Sequence, residues 1–112
     1  MIVYHNSKCS KSRSAIDFLR EKGVVFLVVE YLKTPLNKEE LKNIVAKLGI
    51  DPLDLIRKGE PEFKENFKNK SLTNDEWLEA MIKFPKLIER PIVLTDAKAI
   101  VARPTERINE LF

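Results

Sequence analysis

An α/β domain, with four short strands in one mixed sheet and a helical segment inserted mid-chain, is the fold this sequence predicts. Three observations carry it. An apolar run, an amphipathic helix and a second apolar run open the chain. Two helices with capping signals fill the middle. Two short strands and a final helix close it. The 112 residues suit one compact domain with a real core, so a single domain over 1–112 is expected.

Met1 to Tyr4 is apolar and reads as a buried strand. From Ser12 onward, Ala15, Ile16, Phe18 and Leu19 form a helical stripe, and Gly23 is its stop signal. Val24 to Val29 is an unbroken β-branched and aromatic run, which fits a strand covered on both faces. Strand, helix and strand make a right-handed βαβ unit with parallel strands. Asn37 with Glu40 is a capping box, followed by Leu41, Ile44, Val45 and Leu48, and Gly49 ends that helix. Asp51 to Lys70 is polar and broken by Pro52 and Pro61, so short helices and loops are expected there. Thr73 with Glu76 is a second capping box, opening a helix through Trp77, Leu78, Met81 and Ile82, all read as core. Arg90-Pro91-Ile92-Val93-Leu94 is a strand, and Asp96-Ala97-Lys98 connects it to Ala99-Ile100-Val101. Arg103-Pro104 starts a last helix, with Pro104 at a tolerated first position and Ile108, Leu111 and Phe112 facing the core.

Composition excludes several classes. The chain is 44% hydrophobic and 33% charged, as a folded soluble domain is. Its net charge of +3, from 20 basic and 17 acidic residues, is too small to argue for nucleic acid. The longest apolar run is too short to span a bilayer, and no signal-peptide layout opens the chain. With one cysteine there is no internal disulfide framework. A cytoplasmic location is expected, with neither a membrane nor a nucleic acid as partner.

That cysteine is Cys9, in Tyr4-His5-Asn6-Ser7-Lys8-Cys9-Ser10-Lys11-Ser12-Arg13. The thiolate is the nucleophile, and a free thiol is mostly protonated at neutral pH. Three features favour the anion here. A helix beginning near Ser10 to Ser12 points unpaired N–H groups at the sulfur. Lys8, Lys11 and Arg13 raise the local potential. His5 adds to it when protonated. The bland alternative is a small buried hydrophobe, against which the polar neighbours Lys8 and Ser10 argue.

Other chemistries are absent from the pattern. Ser12 stands where a C-x-x-C dithiol needs a second cysteine. Ala15 stands where a C-x5-R phosphatase cradle needs arginine. One histidine and one cysteine make no zinc cluster, and three glycines supply no phosphate loop. No metal and no bound cofactor are expected.

The segment Tyr4-His5-Asn6-x-x-Cys9-Ser10-Lys11-Ser12-Arg13 closely resembles the active-site segment of the glutaredoxin-coupled arsenate reductases. Further matching pieces follow in order: Tyr31-Leu32-Lys33-Thr34-Pro35, Leu48-Gly49, Leu55-Ile56-Arg57-Lys58, Glu89-Arg90-Pro91-Ile92-Val93 and Arg103-Pro104-x-Glu106. The resemblance covers essentially the whole chain. It implies a thioredoxin-like fold with a helical insertion, and a cis Arg90-Pro91 bond that aims Arg90 at the same pocket as Cys9. It also implies that Cys9 is the nucleophile and that Arg57, Arg90 and Arg103 bind the oxyanion. Guanidinium forks suit that task, because they hold a tetrahedral anion bidentately and keep their charge. His5 and Ser12 become supports for the thiolate; Ser12 either donates to the sulfur or caps the helix. Ser7 departs from the family, which commonly has proline there.

The implied reaction is reduction of arsenate to arsenite, with glutathione as reducing co-substrate and glutaredoxin regenerating the thiol. Two other readings stay open. One is a monothiol glutaredoxin-like oxidoreductase acting on glutathione mixed disulfides, because Cys9-x-x-Ser12 is a one-thiol pattern. The other is a non-catalytic regulator resembling the Spx proteins, which bind RNA polymerase; many of those carry the C-x-x-C that is missing here.

Overall fold

The computed structural model describes all of residues 1–112. The chain divides into two compact units, Met1–Thr34 with Arg90–Phe112, and Pro35–Glu89. The second is the helical middle, inserted in sequence between two strands of the first.

The first unit is built on β1 (Ile2–Tyr4), α1 (Ser10–Glu21), β2 (Leu27–Val29), β3 (Ile92–Leu94) and β4 (Ala99–Val101). Sheet order is β2-β1-β3-β4. β1 runs parallel to β2, as the βαβ reading requires, and antiparallel to β3, which pairs antiparallel with β4. This is the mixed four-stranded sheet of a thioredoxin-like fold. Val3, Val93 and Ile100 stand opposite one another across the strands and so share a face. They form one core with Ala15, Ile16 and Leu19 of α1 and with Ile108. α1 ends because Gly23 takes a left-handed φ of 70°. Its N–H then reaches the Arg20 carbonyl and the Val24 N–H the Leu19 carbonyl, which closes the helix end in a Schellman turn.

Two expectations for this unit are corrected. The run from Val24 to Val29 is not a doubly covered strand. Only Leu27–Val29 pair, and they form a sheet edge where Leu27 is 68% and Val28 44% exposed. Val24 and Phe26 still pack on the core, while Val25 between them points outward. Composition does not distinguish an edge from a centre, because position in a sheet is set by distant partners. The closing helix is a 3₁₀ turn over Thr105–Leu111, with Pro104 before it rather than in its first position. Ile108 is buried, but Phe112 is 64% exposed; the Lys22 ammonium lies 5.4 Å from its ring centre.

The second unit follows its local signals closely. In α2 (Lys38–Leu48) the Asn37 side chain accepts from the Glu40 N–H at 2.8 Å, and Glu40 accepts from the Asn37 N–H at 3.3 Å. Gly49 ends the helix at φ 68°. In α4 (Asn74–Lys83) Thr73 and Glu76 form the same reciprocal pair. Between them lie a 3₁₀ turn at Pro52–Leu55 and the short α3 (Pro61–Asn66). Lys38 joins α2 to α4 through Asp75 and Glu79. Trp77 is buried as expected, with Phe63 and Phe67 against it. No helix in the chain is long and apolar enough to cross a membrane.

Candidate active site

The nucleophile loop leaves the sheet at the end of β1. His5 donates its N–H to the Val29 carbonyl at 2.9 Å, which extends the β1–β2 pairing by one step. Asn6 then organises the turn. Its carbonyl accepts the Cys9 N–H at 2.9 Å, its side-chain oxygen accepts the Lys8 N–H at 3.0 Å, and its own N–H donates to Ser12 Oγ at 3.3 Å. Arg13 reaches back from α1 and donates to the Ser7 carbonyl at 2.9 Å. Ser7, where the family commonly has proline, is therefore held by a side chain from the helix.

Cys9 is the N-cap residue of α1, with extended backbone at φ −98° and ψ 122°, and it is half-buried. The first turn of α1 carries no acidic side chain, whereas α2 and α4 carry two each. The positive end of the α1 dipole is thus left to act on the sulfur. Burial opposes ionisation of the thiol, but the backbone amides of Ser12 and Lys11 and the charges of Arg90 and Arg103 outweigh it. The net result is a pKa below the ordinary thiol value.

The strand register explains why two distant arginines act here. Ile92 pairs with both Tyr4 and Val101, so the start of β3, the end of β1 and the end of β4 share one end of the sheet. Arg90 lies two residues before Ile92 and Arg103 two residues after Val101, and the Ala102 N–H donates to the Pro91 carbonyl at 2.9 Å. The Cys9 loop departs from that same end. The Arg90–Pro91 bond is cis, and so is Arg103–Pro104, which sequence reasoning did not anticipate.

The supporting residues behave differently from expectation. His5 is buried, and its Nδ1 has no hydrogen-bond partner. Burial lowers its pKa, Glu30 opposes and Arg13 adds to the lowering. The neutral imidazole is therefore favoured at neutral pH, and the cationic contribution considered from sequence falls away. Ser12 is fully buried, with its hydroxyl accepting from Asn6 and its amide favouring the thiolate. The charges that lower the Cys9 pKa come from Arg90 and Arg103, not from Lys8, Lys11 or Arg13 next to it in sequence.

Arg57 belongs to the second unit. Its N–H donates to the Leu87 carbonyl at 2.7 Å and Glu89 donates to the Leu55 carbonyl at 2.9 Å, flanking an Ile56–Ile88 bridge. Its Nη1 donates to Glu60 Oε1, and its Nε lies 3.8 Å from Glu89 Oε1. Sequence reasoning missed these carboxylates, together with the loop-holding roles of Asn6 and Arg13. The signal for Asn6 was its turn chemistry.

Fold and site together define a thioredoxin-like protein with one activated thiol under two arginine charges. The description "ArsC family" is that of the family model that matches residues 4–111. The chain is 44% identical to the "Arsenate reductase" of Neisseria meningitidis serogroup A over 109 residues, 96% of this chain and 93% of that one. It is 40% identical to the "Uncharacterized protein YfgD" of Escherichia coli K12, covering 97% of this chain and 93% of that one. The solved "Arsenate reductase from Vibrio cholerae" superposes with a TM-score of 0.93 at 39% identity, covering 99% of this chain and 96% of that one. The chain belongs to the ArsC family.

Proposed function

We propose that this protein reduces arsenate to arsenite, with Cys9 as its only nucleophile. The observation that carries this reading is the Cys9 thiol at the N-terminus of α1, its ionisation favoured by first-turn amides and by Arg90 and Arg103. Arsenate is a tetrahedral oxyanion, and charges that stabilise a thiolate also attract such an anion. Relatives named arsenate reductase, at 44% identity, support the choice of substrate.

The proposed steps follow from the residues. The Cys9 thiolate attacks arsenic, an S–As bond forms as one As–O bond breaks, and the leaving hydroxide takes a proton from solvent to become water. Arg90 and Arg103 hold the oxygens and offset their developing charge. Arg57 joins them by its motif, Leu55-Ile56-Arg57-Lys58. The chain has no second thiol, so a glutathione thiolate attacks the Cys9 sulfur. The S–As electron pair stays on arsenic, arsenite leaves, and a Cys9–glutathione disulfide remains. A glutaredoxin thiolate attacks the glutathione sulfur, Cys9 leaves as thiolate, and a second glutathione frees glutaredoxin as glutathione disulfide, so that glutathione supplies both electrons. No bound cofactor takes part. A lone free thiol fits the reducing cytoplasm, where such a glutathione pool is kept.

The test is arsenate-dependent NADPH oxidation by purified protein with glutathione, glutaredoxin and glutathione reductase, beside Cys9→Ser. Turnover that vanishes in the variant is expected. Turnover retained by Cys9→Ser would sink the mechanism. Reduction of glutathione mixed disulfides with no response to arsenate would move the protein to the monothiol oxidoreductase class. Phosphate should compete weakly, because it meets the same arginines and is not reduced by thiols.

A further inference from the structure

The proposed site asks Arg57 to bind an anion, yet its guanidinium already has two. Glu60 takes Nη1 and Glu89 approaches Nε at 3.8 Å. All three side chains are largely covered, at 26% exposure for Arg57, 20% for Glu60 and 29% for Glu89. Their positions are fixed by the backbone. Arg57 and Glu89 are tied through the flanking bonds of the Ile56–Ile88 bridge, and the Glu60 N–H donates to the Arg57 carbonyl at 3.2 Å. A surface ion pair of two loose side chains would lack such anchoring.

An oxyanion approaching Arg57 meets two carboxylates already on the guanidinium, and the Nη1 donor is already used. Arg90 and Arg103 differ, because their positive charge is felt at the Cys9 sulfur. The arginines assigned to the oxyanion are therefore not equivalent.

We infer that Glu60 and Glu89 set the oxyanion affinity of this protein, by holding Arg57 in a carboxylate lock that the anion must open. The inference rests on the proposed reading of Arg57 as an oxyanion ligand. Glu60 carries the larger share, because it makes the direct hydrogen bond. Neither glutamate touches the reacting atoms; both act through Arg57 as positioning residues. The device trades affinity for selectivity. A weakly held anion with one or two hydrogen bonds to offer does not displace a carboxylate already seated on the fork, whereas a tetrahedral oxyanion that bridges several donors does.

The experiment uses inorganic phosphate as a probe that binds without being reduced. Its Kd is measured by calorimetry for the intact protein, Glu60→Gln, Glu89→Gln, Arg57→Gln and the Arg57→Gln/Glu60→Gln double variant. Freeing a charge-assisted donor should tighten phosphate roughly tenfold in Glu60→Gln, with a smaller gain in Glu89→Gln. Arg57→Gln should weaken binding, and the gain from Glu60→Gln should disappear in the double variant. The arsenate KM should fall in Glu60→Gln with no rise in kcat, a split that loss of fold would not produce. Unchanged or weaker phosphate binding in both glutamate variants, with Arg57→Gln weakened, overturns the lock and leaves Arg57 as a ligand. Unchanged binding in Arg57→Gln removes Arg57 from the oxyanion and overturns the lock with it. Loss of arsenate turnover in Cys9→Ser is independent of either result.

Discussion

Arg90 is asked to do two separable things, and a pair of substitutions divides them. Its charge lowers the Cys9 pKa against the opposing effect of burial, together with the Ser12 and Lys11 amides and Arg103. In the proposed mechanism its planar fork also grips the oxyanion. Arg90→Lys keeps the charge and loses the fork. Arg90→Gln loses both. A charge-assisted hydrogen bond to a reacting anion is worth about 1.5–3 kcal/mol. At about 1.4 kcal/mol per factor of ten, Arg90→Lys should lower kcat/KM for arsenate about 10- to 100-fold. Its rate of thiol alkylation against pH should stay close to that of the intact protein. Arg90→Gln should lose at least as much kcat/KM and also move the alkylation profile to higher pH, because removing a nearby positive charge disfavours the thiolate. Iodoacetamide alkylation followed by mass spectrometry gives the profile, and the coupled NADPH assay gives the kinetics. If Arg90→Lys kept full kcat/KM, Arg90 would be a source of field only. If Arg90→Gln left the profile in place, the electrostatic account of Cys9 would fail.

Other outcomes follow from local geometry. Arg13→Gln breaks the bond to the Ser7 carbonyl, so alkylation of Cys9 should slow while the melting temperature changes little; an unchanged rate would mean the loop holds itself. Thr73→Ala removes one half of the α4 capping box and should cost about 1 kcal/mol, or about 4 °C in melting temperature. No change on thermal unfolding would show that α4 is fixed by packing alone. His5 gives a pH test of stability. Burial holds its folded pKa below the reference 6.5, so the unfolded chain binds the proton more readily. Stability should be full above that reference and fall as the pH drops through it. Urea unfolding at about pH 8 and about pH 5.5 should show a smaller loss in His5→Gln than in the intact protein. Equal losses would mean other groups carry the acid sensitivity.

The fold was legible where it obeys local rules. Asn37 with Glu40 and Thr73 with Glu76 marked their helices because a cap is a bargain between residues three apart. Gly23 and Gly49 marked the ends because both adopt positive φ. What misled was non-local. The apolar run from Val24 to Val29 carries no mark that it will lie at a sheet edge, where Leu27 and Val28 face solvent. At the site, Cys9 and the thiolate-favouring amides were visible, because they lie within four residues. The charges were credited to the wrong cations. Lys8, Lys11 and Arg13 are neighbours in sequence, whereas Arg90 and Arg103 arrive through the β3–β4 hairpin. Burial of His5 was equally invisible to a pattern that reads only residue type.

Everything seen to act on the Cys9 sulfur comes from the first unit: amides of Lys11 and Ser12, and charges at the two ends of one hairpin. The Arg57 cluster is contained in the second, with both of its carboxylates. The field at the sulfur and the carboxylates on Arg57 thus rest on separate sets of contacts, and contacts without shared partners contribute additively. A substitution at Glu60 should leave the pH profile of thiol alkylation where it is. Arg90→Gln should move that profile without changing the roughly tenfold gain expected on freeing Arg57. Coupling between the two in a double-variant cycle would instead require the anion to link them while bound. It should then appear only when phosphate is present, which makes the ligand-free cycle the decisive control.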